Sequence, residues 1–125
     1  MAKLVKTYIA KTDLSAKEGY AVFLTTDDKI NNTPVARIAT ANVRAIGVIE
    51  NPPSGTGKAM SVALSGLTRG IAGGDITAGL ALKTDANGAL VHADTDKDKV
   101  VAIAQEAAAS GELFDIEIVK YDIAV

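Results

Sequence analysis

Apolar and polar residues alternate along this chain over short stretches, which is the period of a β-strand with one buried face. The alternation is clearest at residues 59–65, where Met60, Val62 and Leu64 fall on one side, and it returns at residues 114–118. Clusters of Gly, Pro, Asn, Asp and other turn-forming residues separate such stretches at residues 18–19, 27–28, 31–32, 51–55, 73–75, 87–88 and 110–111. Short strands with frequent turns predict a mainly β fold, a small β-barrel or sandwich.

The last predicted strand changes its pattern partway. Phe114, Ile116 and Ile118 share one side of it, whereas Tyr121 and the apolar residues after it fall on the opposite side. A shift of one residue moves every following side chain to the other face of a sheet. We therefore predict either a β-bulge at residues 119–120 or a tail that leaves its sheet there to pack elsewhere.

One segment favours a helix by its composition. Residues 100–109 are Ala-rich and unbroken, and Gly111 stands where a helix C-cap would lie. The segment also matches an earlier β-branched stretch, residues 43–49, which is too short for a helix. We therefore predict a strand over residues 100–105 and at most one short helix, at residues 106–110.

The match belongs to a weak internal duplication. Blocks of the first half return in the same order: residues 19–22 match 79–82, Ile30 matches Leu90, residues 43–47 match 100–104, and Val62 and Leu64 match Ile116 and Ile118. This order predicts two pseudo-repeats, about residues 18–66 and 78–120, in a single β domain of residues 14–125. Convergent patterning of small β-strands is the alternative interpretation.

The N-terminal segment lies outside the repeat and carries lysines without any acidic residue. The lysines are Lys3, Lys6 and Lys11, and the apolar residues between them are Leu4, Val5, Tyr8 and Ile9. One interpretation is an edge strand whose lysines oppose pairing with other molecules. The other is an extended N-terminal arm, residues 1–13, that adds a strand to a neighbouring protein.

Composition narrows the class of function. Of the 125 residues, 48% are hydrophobic, which is enough for one core, and there is no Cys for a disulfide or a thiolate metal site. The 13 basic and 15 acidic residues argue against a nucleic-acid-binding or membrane-surface protein. No apolar run approaches the roughly 18 residues that a membrane helix needs. We expect a soluble domain that is not an enzyme and holds no cofactor or metal.

A Gly-rich segment, residues 54–58, invites comparison with a phosphate-binding loop. Pro52 stands where that motif has its first glycine, and Ala59 replaces the hydroxyl residue that binds Mg²⁺. A strand pattern follows where the motif requires a helix. We predict an exposed hairpin loop.

An acidic segment, residues 94–98, resembles the first half of a calcium-binding loop. Lys99 stands at the glycine position of that loop and Gln105 at the position of its bidentate glutamate. We predict a solvated charged turn.

Two further side chains could carry chemistry. His92, the only histidine, lacks the nucleophile motif that would accompany a catalytic base, so we predict a surface or interface residue. Lys29 follows two aspartates in a turn and resembles the lysine that lipoyl or biotinyl carrier domains modify. A carrier domain modified at Lys29 is the main alternative function, and an enzyme or regulatory module of another kind is a third.

Two runs in the second half carry a wider resemblance. One is Ile-Ala-Gly-Gly-Asp-Ile-Thr-Ala-Gly-Leu at residues 71–80, followed by Lys-Thr-Asp-Ala-Asn-Gly at residues 83–88. The other is Lys-Val-Val-Ala-Ile-Ala-Gln-Glu-Ala-Ala-Ala-Ser-Gly-Glu at residues 99–112. Through them, residues 16–119 resemble the capsid decoration proteins of tailed bacteriophages, also called head cement or stabilisation proteins.

The resemblance implies a structural protein made in the host cytoplasm and located on the outer surface of the virion capsid. It implies binding to the major capsid protein of the expanded head, commonly as a trimer, and resistance to the pressure of packaged DNA. From the residues we predict the capsid contacts to be Lys3, Leu4, Lys6, Tyr8 and Lys11. We predict contacts between subunits at Tyr121, Ile123 and Val125, beyond the change of face.

Overall fold

The computed structural model describes residues 3–95 and 97–122 of the chain, which form nine β-strands and no helix. The strands are β1 (Leu4–Ala10), β2 (Ala21–Leu24), β3 (Val35–Ile38), β4 (Gly47–Asn51), β5 (Ala59–Ile71), β6 (Ala81–Thr84), β7 (Leu90–His92), β8 (Lys99–Ala104) and β9 (Leu113–Asp122). The predicted mainly β fold is confirmed.

The first five strands close into a barrel. β1 pairs with β3 in parallel, β2 pairs with β3 and β4, and β4 pairs with β5, which returns to β1 as an antiparallel neighbour. Every strand of this circuit therefore has two neighbours, which is the condition for a closed barrel. We call residues 4–65 the first barrel.

The second half of the described chain has the same strand order. The end of β5, residues 66–71, pairs with β9, and β8, β6 and β7 follow. An isolated parallel bridge between Ala72 and Leu90 leads back to the end of β5. In this second barrel, residues 66–122, the end of β5 takes the place of β1, and β9 takes the place of β5.

Individual hydrogen bonds recur in the two barrels. The Gly57 N–H donates to the Ala10 carbonyl at 2.9 Å, and the Gly111 N–H donates to the Ala72 carbonyl at 2.8 Å. Both glycines have a left-handed φ, 74° and 86°, which residues with a side chain rarely adopt. The same turn thus leads into the last strand of each barrel.

Equivalent bonds also link β2 and β6 to the strands beside them. The Ala39 N–H donates to the Ala21 carbonyl, and the Ala93 N–H donates to the Ala81 carbonyl, both at 2.9 Å. Ala81 therefore corresponds to Ala21, as the sequence match of residues 19–22 with 79–82 predicts.

Two blocks of the sequence match are wrong. Leu90 corresponds to Ala36 and not to Ile30, because Leu24 pairs with Ala36 as Thr84 pairs with Leu90.

The block at residues 100–104 is displaced by two residues. The Ile49 N–H donates to the Tyr20 carbonyl at 2.9 Å, and its counterpart is the Ala104 N–H, which donates to the Leu80 carbonyl at 3.0 Å. Ala104 thus corresponds to Ile49 and not to Gly47. A shift by two keeps the same face of a strand, so the hydrophobic pattern could not reveal it.

Two clusters of buried apolar side chains hold the barrels together. The first barrel is filled by Tyr8, Ala10, Leu14, Val22, Ala36, Ile49, Met60 and Val62. The larger cluster fills the second barrel with residues such as Leu82, Leu90, Phe114 and Ile116, and it includes Ala21, Ala39, Ala45, Val48 and Ala63 on the outer face of the first barrel. Small side chains on that face let the two barrels share one core.

The strand predicted at residues 100–105 is confirmed as β8, and a helix over residues 100–109 is wrong. Residues 106–110 are irregular, with an isolated bridge from Ala108 to Ile76 and a turn that begins at Ser110, so the short helix allowed there is absent. The predicted bulge is confirmed, because Ala102 pairs with Ile118 whereas Val100 pairs with Tyr121, leaving one extra residue in β9.

The N-terminal segment is not an arm that stands apart from the domain. Residues 4–10 form β1, which pairs with β5 over Leu4–Ile9 and with β3 at Ile9 and Ala10. Apolar side chains at the end of β1 enter the core of the first barrel, which explains why the segment folds back. The interpretation as an edge strand holds only for residues 4–8, because β3 begins beside Ile9.

Candidate functional site

Two of the lysines predicted to contact a capsid form ion pairs within the chain. Lys3 Nζ lies 2.8 Å from Glu50 Oε2, and Lys11 Nζ lies 2.7 Å from Asp27 Oδ2. The hydrogen bond from Lys3 lowers the pKa of Glu50, and that from Lys11 lowers the pKa of Asp27. Both pairs lie at the surface, where such pairs contribute little stability and can exchange partners.

Tyr8, another predicted contact, belongs to the core. Only 4% of its surface is exposed, and burial raises the pKa of its hydroxyl. Lys6 Nζ lies 5.5 Å from the centre of the Tyr8 ring, a cation–π distance. Tyr8 is therefore corrected from a partner contact to a core residue that positions Lys6.

The start of β1 remains open to a partner. Leu4 is 57% exposed and Val5 40% exposed, with Lys6 beside them. The Ile9 N–H donates to the Pro34 carbonyl, on the side of β1 opposite β5. Backbone groups alternate sides along a strand, so those of Val5 and Thr7 also point away from β5. We call Leu4, Val5 and Lys6 the N-terminal patch.

Of the residues predicted to join subunits, only Tyr121 lies within the described residues. It is 46% exposed and pairs with Val100 in the sheet, so β9 stays in the second barrel beyond its bulge. Ile123 and Val125 lie outside the described residues.

Sequence reasoning missed the contact between the two barrels. The Ala21 N–H donates to the Gly88 carbonyl at 2.8 Å, and Thr84 Oγ1 donates to the Thr40 carbonyl at 2.6 Å. A Cβ on Gly88 would approach Ile38 Cγ1 to 2.6 Å. The loop after β6 therefore fits closely against the outer face of the first barrel. The sequence carries one signal of this contact, the alanines at residues 21, 39, 45 and 63. The hydrophobic pattern alone showed their strands as half-buried, so it did not reveal a second covered face.

Four further large apolar side chains are exposed away from the termini. They are Leu24, Ile30, Leu67 and Leu80, with 44–57% of their surface exposed. Ile30 flanks a hairpin turn in the β2–β3 loop, where Asn31 and Asn32 have left-handed φ of 52° and 61°. Exposed apolar side chains of this size can serve as contacts with other proteins.

The acidic segment predicted as a solvated turn has exposed residues at Asp94 and Thr95 but a buried one at Asp98. Asp98 is buried and its Oδ2 accepts hydrogen bonds from the N–H groups of Asp94 and Thr95 and from Lys83 Nζ. The bond from Thr95 contributes most to lowering the pKa of Asp98, and burial opposes it. The carboxylate thus closes its own turn.

His92 and Lys29 occupy different surroundings. His92 is half-buried, and its Nε2 accepts a hydrogen bond from the Thr77 N–H at 3.0 Å. Lys29 is exposed in the β2–β3 loop, just before the hairpin turn rather than at its tip. The segment at residues 54–58 is confirmed as the loop between β4 and β5.

In the part of the chain that the structure describes, no helix is long and apolar enough to cross a membrane.

By its fold, the chain is a small all-β protein in which two barrels of the same strand order share the central strand β5. Among solved structures the chain is similar to the N base of head fiber gp8.5 of bacteriophage phi29, known from a crystal structure, with a TM-score of 0.76. The similarity covers 99% of this chain and 100% of that one at 21% sequence identity, so it shows the fold. No family model matches the sequence, and no curated protein matches it.

Proposed function

We propose that this protein is a structural component of a bacteriophage head, which binds the outside of the expanded capsid and stabilises it against the pressure of packaged DNA. The observation that carries the proposal is the fold, which matches the base of a phage head fiber over 99% of this chain and all of that one. The resemblance of residues 71–88 and 99–112 to capsid decoration proteins supports it independently.

The physical basis is preferential binding and not catalysis. A protein that binds the expanded lattice better than the unexpanded one shifts the equilibrium toward expansion by mass action. A trimer that touches several copies of the major capsid protein adds its contacts through effective concentration. The proposed partners are therefore the major capsid protein and further copies of this chain.

The N-terminal patch is the proposed capsid contact. Lys3 and Lys11 can add to it only by leaving Glu50 and Asp27, so the exposed Leu4, Val5 and Lys6 carry the expected binding. The open backbone edge beside Val5 and Thr7 can accept an added strand from a partner.

Co-sedimentation with purified heads tests the function. The protein is mixed with expanded and unexpanded empty heads of the phage that encodes it, and bound copies are counted on gels. Saturable binding to expanded heads, with a higher temperature of head disruption, is the expected result. Equal binding to both heads, or none to either, would refute the proposal.

Matched variants test the patch. Leu4→Asp is expected to weaken sedimentation with expanded heads, whereas Leu67→Asp is not, although both leucines are 57% exposed. Equal loss in both variants, or in neither, would remove the patch from the proposal. Intact-mass spectrometry of the native protein would detect any lipoyl or biotinyl adduct on Lys29 and would favour the carrier alternative.

A further inference from the structure

One dipeptide of the chain carries chemistry that the proposed function does not use. Asn87 is followed by Gly88, whereas the other four asparagines precede Asn, Thr, Val or Pro. The backbone nitrogen of the next residue can attack the side-chain amide carbon of an asparagine. Glycine hinders this attack least because it has no Cβ. Asn87 is therefore the asparagine of this chain in the most reactive sequence context.

The reaction needs water as its only co-reactant. The Gly88 nitrogen loses its proton and bonds to Asn87 Cγ, the amide nitrogen leaves as ammonia, and a cyclic succinimide forms. Water then opens the ring at either of its two carbonyl carbons. One product is an aspartate. The other is an isoaspartate, whose main chain is longer by a CH₂ group because it runs through the former side chain.

The turn after β6 exposes the side chain that reacts. Asn87 is exposed, and its N–H donates to Asp85 Oδ1 at 2.8 Å. The same carboxylate oxygen accepts from the Ala89 N–H at 3.0 Å, so the turn has a defined shape around Asp85. Water therefore has access to Asn87 Cγ, and the reaction is limited by the nitrogen that attacks this carbon.

The attacking nitrogen is held in place. Gly88 is buried, its N–H donates to the Asp85 carbonyl at 3.2 Å, and its carbonyl accepts from the Ala21 N–H of the first barrel at 2.8 Å. A Cβ on Gly88 would approach Ile38 Cγ1 to 2.6 Å, so the residue fits closely against that barrel. The Gly88 nitrogen attacks only after it loses the proton that it now donates to Asp85. The contact between the barrels therefore opposes the reaction while the contact is closed.

We propose that Asn87 and Gly88 form a site of spontaneous covalent modification, which the contact between the barrels protects and whose isoaspartyl product weakens that contact. Local opening of the loop frees the Gly88 nitrogen, so the rate of modification follows the frequency of opening. Once isoaspartate has formed, the longer main chain displaces the Gly88 carbonyl from Ala21 or the loop from Ile38. A close-packed contact tolerates neither change without loss. The reaction proceeds in the isolated protein, whichever particle the protein binds.

Incubation of the purified protein at mildly alkaline pH tests the site. Converted asparagines are located by mass spectrometry of proteolytic peptides, and isoaspartate is labelled with an isoaspartyl methyltransferase. We expect Asn87 to be converted first and, in guanidinium chloride, about tenfold faster or more, because the unfolded loop needs no opening step. Earlier conversion of another asparagine, or equal rates in the folded and unfolded protein, would overturn the proposal.

Matched variants test the protection. Ile38 and Ile46 are both half-buried isoleucines that pack against the core of the first barrel, but Ile38 lies against Gly88. Ile38→Ala is expected to accelerate the conversion of Asn87 by about fivefold or more, because a lost packing contact makes local opening more frequent. Ile46→Ala is expected to accelerate it less. Equal acceleration in the two variants, or none in either, would show that the contact does not protect the site.

The modified protein, separated by ion exchange, tests the effect on the contact. Asn87→Asp is the control, because it carries the same added negative charge on a main chain of ordinary length. The isoaspartyl protein is expected to melt at a lower temperature than Asn87→Asp. Its Ala21 amide proton is expected to exchange faster with solvent, since the acceptor of that proton has moved. Equal melting temperatures and equal exchange in the two proteins would overturn the proposed weakening.

Discussion

At the scale of single residues, glycine allows β4 and β5 to approach each other. A Cβ on Gly47 would overlap the carbonyl oxygen of Ala63 and crowd Val62 Cγ1. The obstacle is backbone of a paired strand, which cannot move aside without breaking the ladder. Gly47 is therefore a packing requirement and not a flexible joint.

Gly47→Ala is expected to destabilise the fold by about 1–3 kcal/mol, the usual range for overpacking a core. Urea unfolding measures the change. Gly55→Ala is the control, because a Cβ there meets no atom within 4 Å. Two variants of equal stability would show that the β4–β5 contact tolerates a methyl group.

Because the Asp98 carboxylate is buried and hydrogen-bonded, the free energy of unfolding depends on pH in the acidic range. Its pKa is lowered in the folded state, so its contribution is fully present above the unfolded pKa of an aspartate, about 3.9, and is lost as pH falls through the folded value. Asp98→Asn keeps the size of the side chain but removes its negative charge. The carboxylate oxygen Oδ2 accepts hydrogen bonds from Thr95, Asp94 and Lys83, and these weaken when the charge is lost.

Thermal unfolding across pH tests this. Asp98→Asn is expected to melt below the wild type at pH 7, and the gap is expected to narrow below about pH 4, where an unperturbed aspartate protonates. The exposed Asp28→Asn serves as the control and is expected to follow the wild type. A gap that stays constant with pH would assign the loss to shape and not to charge.

At the scale of elements, β1 shows where sequence reasoning ends. An extended arm and a paired strand can both show alternating lysines and apolar residues, so the local pattern does not distinguish them. Residues 4–10 form a strand because they pair with β5, which begins about fifty residues later in the chain. The strand β8 could be predicted, because the segment that it matches in the first half is rich in β-branched residues and too short for a helix. The bulge in β9 was predictable because a change of face needs only local sequence.

Removing β1 is expected to unfold the first barrel. Deletion of residues 1–11 leaves β3 and β5 without their shared neighbour and exposes Met60 and Val62, which are now 2% and 0% exposed. The measurement is dye binding to exposed apolar surface together with near-UV circular dichroism. Deletion of residues 1–3 removes the surface pair of Lys3 with Glu50 and is expected to change little. Native spectra from the longer deletion would contradict the role of β1.

At the scale of the whole molecule, the repeat predicts two similar units but not how they meet. Matched blocks give equivalent strands, whereas the contact forms between non-equivalent parts, a loop of one barrel and a face of the other. Ala21, Ala39 and Ala63 carry that contact, and alanine is common in both buried and exposed strands. The N-terminal patch shares this limit, since the exposure of Leu4 and Val5 depends on which strands pack beside β1.

A shared core makes a definite prediction about unfolding. The larger apolar cluster contains residues of both barrels, and β5 runs through both without a linker, so neither barrel can lose its structure without exposing buried surface of the other. We expect one calorimetric transition for the isolated protein, with equal calorimetric and van't Hoff enthalpies. Ala63→Asp places a charge in the contact and is expected to lower the temperature of that transition or to split it in two. Ser61→Asp, at a half-buried position on the same strand, is the control and is expected to lower the temperature less. Two separate transitions in the wild-type protein would mean that the barrels fold as independent units.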